Sequence, residues 1–143
     1  MARQYSSLND PGDVNDERAF LKAKIVAKFC SFGIVSSAKW FSGYIVIFDG
    51  VLKLYDHEDT VKYSPASTIL EIPLNQTRRP SAWKRKKYSQ NNGVATDFYS
   101  FYIMQNSDWL GTIRELKIGT HDLPTMEKIL RCVEFNTRHE AGR

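Results

Sequence analysis

One segment near the middle of the chain constrains the fold most, because it contains two apolar runs separated by the dipeptide Asp49-Gly50. Residues 39–48 read KWFSGYIVIF and residues 51–55 read VLKLY, and both runs are rich in the β-branched and aromatic residues that favour strands. An Asp-Gly pair accepts the positive φ angles that a two-residue type I′ turn requires. The segment therefore predicts two antiparallel strands joined by a tight hairpin.

Four other segments have strand character, namely residues 24–30, 68–74, 98–105 and 112–118. They contain alternating or continuous apolar residues over short lengths, and turn-forming residues separate several of them. Pro73 ends the second of these segments because proline cannot donate to a strand ladder. The chain thus contains about six predicted strands and no helix between them.

The last part of the chain changes period and predicts one helix. Its apolar residues recur every three or four positions and form a single stripe: Met126, Ile129, Leu130, Val133 and Thr137. Asp122 is a suitable N-cap, and Pro124 falls in the first turn, where a missing N–H costs nothing. We therefore expect a mainly β protein with one C-terminal α-helix, built as a bent antiparallel sheet or partly open barrel that the helix caps.

The length and the local composition of the chain predict one domain. With 143 residues, of which 42% are apolar, the chain can bury one core of ordinary size. Residues 1–18 are polar, rich in Asp and without a period, so we expect a flexible tail followed by a domain over 19–140. No apolar run reaches the roughly 20 residues of a membrane span, and the first residues lack an apolar signal segment. Cys30 and Cys132 lie in apolar surroundings, as reduced core thiols of a cytosolic protein do.

A polar stretch, residues 75–97, is predicted to be a loop and contains the most concentrated charge of the chain. The chain has a formal net charge of +4, yet this stretch alone contains six basic residues and no acidic one between positions 78 and 88: Arg78, Arg79, Lys84, Arg85, Lys86 and Lys87. A cluster this local indicates an anionic partner. Trp83 and Tyr88 flank it, and aromatic rings favour the headgroup level of a bilayer, so we expect these residues to bind anionic lipid.

Three other interpretations of the basic stretch stay open. The first is a solvated loop that only keeps the protein soluble, and the second is an incidental feature of a scaffold that binds another protein through its sheet or helix. Binding to nucleic acid is the third, and it predicts a steep dependence on salt in the absence of lipid. We expect the protein to be a monomer with an anionic lipid, and no nucleic acid, as its partner.

No residue pattern for catalysis is evident. His57, His121 and His139 are scattered, and two distant cysteines cannot complete a zinc site. The acidic run at 56–59 has consecutive carboxylates where a calcium loop would space them at alternate positions, which favours a solvated turn. We therefore expect no enzymatic activity, no metal ligands and no cofactor.

The hairpin carries a resemblance to a known family. Residues Trp40 to Tyr55 resemble the second and third strands of pleckstrin-homology domains, with an aromatic entry and a D-G-x-L-x-x-Y hairpin, and the likeness extends loosely from Lys24 to Thr137. In the family's phosphoinositide-binding members, a Lys late in strand one is followed by a basic residue shortly after the Trp. Lys28 matches the first of these positions, and Gly43 lies at or near the second. The resemblance implies a pleckstrin-homology-like fold whose headgroup edge includes Lys28 and Lys39, although the same lysines would also suit a protected sheet edge.

A narrower resemblance involves the basic stretch 82–88 (AWKRKKY) together with the aromatic segment 98–102 (FYSFY). The combination is similar to the acylated pleckstrin-homology domain proteins of apicomplexan parasites, which begin with an acylated Met-Gly segment where this chain begins Met1-Ala2. That resemblance implies a phosphatidic-acid sensor on secretory organelles, the micronemes. A sister group in the apicomplexan membrane skeleton has the same fold and is thought to bind proteins in preference to lipid. We accordingly expect a cytosolic peripheral membrane protein that binds phosphatidic acid ahead of phosphoinositides.

Overall fold

The structure, a computed structural model, describes residues 19–31, 39–89, 93, 95–104 and 114–141. Within them, seven strands form one antiparallel sheet in the order β4-β3-β2-β1-β7-β6-β5. The strands are β1 (Leu21–Ser31), β2 (Phe41–Phe48), β3 (Val51–Tyr55), β4 (Leu70–Pro73), β5 (Lys84–Ser89), β6 (Ala95–Met104) and β7 (Arg114–Thr120). Two α-helices, α1 (Glu58–Tyr63) and α2 (Leu123–Ala141), and a 3₁₀ turn at Leu74–Gln76 complete the described elements. The predicted tail, residues 1–18, and the turn predicted near residues 106–111 lie outside them.

The predicted hairpin is confirmed. Phe48 pairs with Val51 at the end of the β2–β3 ladder, so Asp49 and Gly50 form a two-residue turn. Their φ angles are 55° and 77°, both in the left-handed region that a type I′ turn requires. Glycine reaches this region without steric cost, and aspartate tolerates it better than most residues, which explains why this dipeptide closes the hairpin.

The core is formed by every second side chain of the strands, because successive side chains point to opposite faces of the sheet. Inward-facing residues such as Ile45 and Ile47 on β2, or Leu116 and Ile118 on β7, are fully buried, while their chain neighbours face outward. The predicted stripe of α2 packs onto this inner face, where Met126, Ile129 and Val133 are completely buried. The helix contacts β1, β6, β7 and the 3₁₀ turn. It therefore closes one end of the sheet, and the buried stripe shows that the helical period was predicted correctly.

The N-cap prediction for α2 is also confirmed. The Asp122 carboxylate accepts a hydrogen bond from the backbone N–H of Thr125 at 3.1 Å, and the Asp122 carbonyl accepts one from the Met126 N–H at 3.0 Å. The side chain thus satisfies one of the N–H groups that the first helical turn leaves without a partner. Cys132, predicted as a core residue, is buried on the same helix.

Two local predictions were wrong. Residues 84–89, predicted to be part of a loop, form strand β5, which pairs with β6 from Lys84 opposite Ser100 to Ser89 opposite Ala95. Main-chain hydrogen bonds to β6 hold this strand in the sheet. Because its charged side chains are exposed to water, the strand forms without the alternation of apolar and polar residues that marks a half-buried strand. The predicted acidic turn leads into helix α1 instead, with the ring of His57 accepting a hydrogen bond from the Asp59 N–H at 3.0 Å.

The predicted fold class is confirmed. The chain is mainly β, with an open antiparallel sheet of seven described strands and a C-terminal helix across its inner face. This architecture is consistent with a pleckstrin-homology-like fold.

Candidate lipid-binding cleft

Strand β5 distributes its four consecutive basic residues over two faces of the sheet. Lys84 pairs with Ser100 and Lys86 with Phe98, while Arg85 pairs with Tyr99. Directly paired residues share a face, and Tyr99 belongs to the buried inner set. Lys84 and Lys86 therefore lie on the outward face, and Arg85 and Lys87 lie on the opposite one. The single basic cluster of the sequence becomes two pairs with different surroundings.

The outward pair lines a cleft of about 360 Å³. Lys28 of β1 and Lys117 of β7 line the same cleft, so four lysines from three strands border it. The register explains the convergence, because Lys117 pairs with Lys28 on one side and with Tyr102 of β6 on the other. The neighbouring strands β1 and β7 thus bring Lys28 and Lys117 side by side, and β6 separates them from β5, the strand that carries Lys84.

Aromatic rings form part of the cleft wall. Trp40, immediately before β2, meets Phe98 of β6 edge to face, with ring centroids 5.1 Å apart. Phe98 is only 4% exposed although it belongs to the outward-facing residues of its strand, because its ring lies over β7 at Gly119. On its other side it packs against the ring of His121, at 5.2 Å. The cleft therefore combines cationic side chains with a rigid apolar surface.

The electrostatics of the cleft favour an anion. Glu115 is the one carboxylate among the described residues that line it, against four lysines. Within the described part of the chain, none of these lysines has a carboxylate at ion-pair distance, whereas Lys87 on the opposite face lies 3.4 Å from Asp97. Ammonium groups that outnumber the carboxylates around them attract a phosphate through charge-assisted hydrogen bonds. Ser81, Ser100 and Tyr102 add polar or aromatic atoms to the lining.

The structure separates the site residues predicted from sequence. It brings Lys28, Lys84 and Lys86 together in the lining of the cleft, whereas the other predicted site residues are not among the described residues that line it. Arg78 and Arg79 are exposed in the segment before β5, and Lys39 is exposed before β2. Trp83, 36% exposed, packs edge to face against Tyr99, with centroids 5.5 Å apart, on the face that carries Arg85. Side-chain placement of Tyr88 lies outside the described residues.

Sequence reasoning missed Lys117 and Trp40 as cleft residues. Alternation along β7, with Leu116 and Ile118 inward, was a sufficient signal that Lys117 faces outward. Its position beside Lys28 depends on the β1–β7 pairing, which residues far apart in the chain create.

Gly43 faces the interior, and this bears on the family's second basic position. A Cβ at Gly43 would lie 3.1 Å from the carbonyl oxygen of Tyr55 and 3.2 Å from Cδ1 of Leu54. A basic side chain at this position would enter the packed side of the sheet, away from Lys28. The cations that accompany Lys28 come from β5 and β7 instead.

A second groove, of about 450 Å³, lies at the opposite end of β2. Phe20 and Phe48 line it, 41% and 49% exposed, with their rings edge to face at 5.8 Å. Lys22 and Lys53 flank these rings. Because the nine residues from Trp40 to Phe48 cover about 25 Å of extended chain, the two sites are well separated.

Comparison with protein-family models found no match, and comparison with curated proteins found none either. Among the described residues, no group of three or more His, Cys, Asp or Glu side chains is arranged to hold a metal ion. None of the helices in the described part of the chain is long and apolar enough to cross a bilayer.

Proposed function

We propose that the chain is a non-catalytic peripheral membrane module that binds anionic phospholipid headgroups, phosphatidic acid ahead of the phosphoinositides, on the cytosolic face of secretory organelles. The convergence of Lys28, Lys84, Lys86 and Lys117 on one cleft carries the proposal. Each basic residue near an anionic bilayer contributes about 1 kcal/mol of attraction, so four of them suffice for reversible binding. The attraction is electrostatic and decreases with salt.

Phosphatidic acid suits this cleft for two reasons. Its headgroup is a bare phosphomonoester, which carries up to two negative charges and can accept hydrogen bonds from several ammonium groups at once. The described lining of the cleft supplies such groups and includes no arginine, whose planar fork favours bidentate binding. In addition, the inward orientation of Gly43 removes one of the two basic positions that phosphoinositide-binding family members use.

A vesicle flotation experiment tests the proposal. The chain is mixed with vesicles of phosphatidylcholine alone, or with phosphatidic acid or phosphatidylinositol bisphosphate added at equal total charge. We expect flotation with phosphatidic acid, weaker flotation with the phosphoinositide and none with phosphatidylcholine. If no more protein floats with acidic vesicles than with neutral ones, the proposal is refuted.

The two faces of β5 provide a matched pair of charge reversals. Lys84→Glu with Lys86→Glu removes two cleft cations, and Arg79→Glu with Arg85→Glu changes the net charge by the same amount outside the cleft. If the cleft holds the headgroup, the first variant loses binding to phosphatidic-acid vesicles and the second retains most of it. Equal losses would show that diffuse basic charge, and not the cleft, drives binding. Lys87 is left unchanged in both variants because it lies beside Asp97.

The exposed pair Phe20 and Phe48 favours a second candidate function, a scaffold that binds a protein partner. Two large exposed aromatic rings in one groove are typical of an interaction surface. Under this alternative, Phe20→Ser with Phe48→Ser abolishes recruitment in cells, and the Lys84→Glu, Lys86→Glu variant is recruited normally. The lipid proposal predicts the reverse result for both variants.

A further inference from the structure

Ser81 lies in the wall of the basic cleft, in the irregular segment that connects the 3₁₀ turn to β5. Its backbone N–H donates to the Tyr102 carbonyl at 3.0 Å, and the Tyr102 N–H donates to the Ser81 hydroxyl oxygen at 3.0 Å. The hydroxyl in turn donates to the Ala82 carbonyl at 3.1 Å. These contacts hold Ser81 beside β6, at the point where Tyr102 pairs with Lys117.

The residues before Ser81 form a recognition sequence for a protein kinase. Arg78 and Arg79 stand three and two positions before the serine, and both side chains are exposed. Serine kinases that select basic substrates read arginines at these two positions with their own carboxylates. Pro80 between them and the serine is buried, and it keeps the segment out of regular secondary structure. The cleft wall thus contains a hydroxyl group that can be modified. The two arginines that precede this serine in the sequence do not line the cleft.

The segment is attached weakly enough to be released to a kinase. In addition to the Ser81 contacts, the described backbone bonds of residues 78–83 include one from the Arg78 N–H to the Met104 carbonyl, at 2.9 Å. For the segment to enter an extended substrate groove, two backbone bonds and the bond from the Tyr102 N–H to the Ser81 hydroxyl must break, and Pro80 must lose its burial. Local opening of this size costs far less than unfolding the sheet.

We propose that Ser81 is a phosphorylation site and that its phosphate occupies the cleft and blocks it. An arginine-directed serine kinase transfers the γ-phosphoryl group of ATP: the Ser81 oxygen forms a new bond to phosphorus, the bond to the departing ADP breaks, and the hydroxyl proton leaves to a base of the kinase. The product carries −1.5 to −2 charge and three acceptor oxygens, about as phosphatidic acid does. It is tethered beside Lys84, Lys86 and Lys117, so its effective concentration there is high.

The blocking step rests on the proposed function, because a headgroup and the Ser81 phosphate would compete for the same lysines. Phosphorylation then releases the chain from the membrane, and a phosphatase permits binding again. The modification site itself does not depend on lipid.

The test uses the full chain, the catalytic subunit of cyclic-AMP-dependent protein kinase and ATP. Peptide mass mapping is expected to place the phosphate on Ser81, and Ser81→Ala is expected to remove most of the incorporation. The phosphorylated chain is then compared with the unmodified one by flotation on phosphatidic-acid vesicles. We expect an apparent affinity about thirtyfold weaker, as when a doubly charged group neutralises two ammonium groups that each contribute about 1 kcal/mol, and full recovery after phosphatase treatment. Because the same chain is compared with and without the phosphate, the flotation result does not depend on a variant that fails to fold.

A lipid-free measurement separates failure of this inference from failure of the proposed function. The rates at which an amine-acylating reagent modifies Lys84 and Lys86 are expected to fall several-fold on phosphorylation, while those of Lys22 and Lys62, which lie outside the cleft, stay unchanged. Phosphate on another residue, such as Ser89, or unchanged rates at Lys84 and Lys86 would overturn the inference. Unchanged flotation of a chain phosphorylated at Ser81 would also overturn it. If the unmodified chain does not float, the proposed function fails, and mapping and acylation still decide whether the phosphate occupies the cleft.

Discussion

The ring of Phe98 on β6 lies across the backbone of Gly119 on β7. A Cβ at Gly119 would be 2.9 Å from Cε1 of that ring, 3.0 Å from Cε2 and closer still to Cζ. The ring cannot easily retreat, because Trp40 packs on it at 5.1 Å and His121 at 5.2 Å. The absent side chain of one residue therefore makes room for an aromatic ring that lines the cleft.

Gly119→Ala is expected to destabilise the fold by about 1–3 kcal/mol, the usual effect of inserting a methyl group into a packed site. Urea unfolding measures the change. Ser42→Ala is the control, because Ser42 is exposed and pairs with Val26, the residue that also pairs with Gly119.

The double variant identifies the cause of this loss. If the Phe98 ring is responsible, Gly119→Ala costs little in a Phe98→Ala background, and the two changes are strongly non-additive. Additive losses would show that the contact between Phe98 and Gly119 does not limit the substitution.

Lys28→Ala is expected to weaken binding to phosphatidic-acid vesicles about fivefold, corresponding to about 1 kcal/mol for one cleft cation. Lys39→Ala removes the same charge from an exposed residue outside the cleft, and is expected to change binding less than twofold at physiological salt. Vesicle titration of both variants measures the difference. Equal losses for the two lysines would contradict the assignment of the cleft as the headgroup site.

Asp122→Ala is expected to lower stability by about 0.5–2 kcal/mol, because it leaves the Thr125 N–H without the carboxylate that accepts its hydrogen bond. Asp122→Ser retains a capping oxygen and is expected to recover most of the loss. Thermal unfolding followed by circular dichroism tests both variants. A Ser variant as unstable as the Ala variant would show that the cap is not what Asp122 contributes.

The predictable parts of the fold are those that local sequence encodes. Asp49-Gly50 closes a hairpin through its own backbone preferences, and the stripe from Met126 to Thr137 needs only the helical period. Strand β5 could not be recognised in this way, because KRKKYS has no apolar alternation and its strand character comes from pairing with β6.

The cleft was predicted only in part for the same reason. The charge cluster in the sequence predicts a role for Lys84 and Lys86, but nothing local separates them from Arg85 and Lys87. The pleat of β5 places Lys84 and Lys86 on one face and Arg85 and Lys87 on the other. Lys117 joins the cleft lysines because of the strand order of the sheet. The position of Trp83 beside the cluster in sequence predicts a role in binding, whereas the ring that lines the cleft is that of Trp40, from across the sheet.

Strand β5 is the last described strand on its side of the sheet, and the position has a consequence for how copies of the chain behave when crowded. A terminal strand presents main-chain groups that a second molecule can extend into a continuous ladder, and closely spaced cations repel such a molecule. Under the proposed function, a bound phosphate neutralises two of the β5 cations, Lys84 and Lys86. Arg85 lies on the other face and keeps its charge, so the alternation along β5 would still oppose the pairing of neighbouring copies on a membrane.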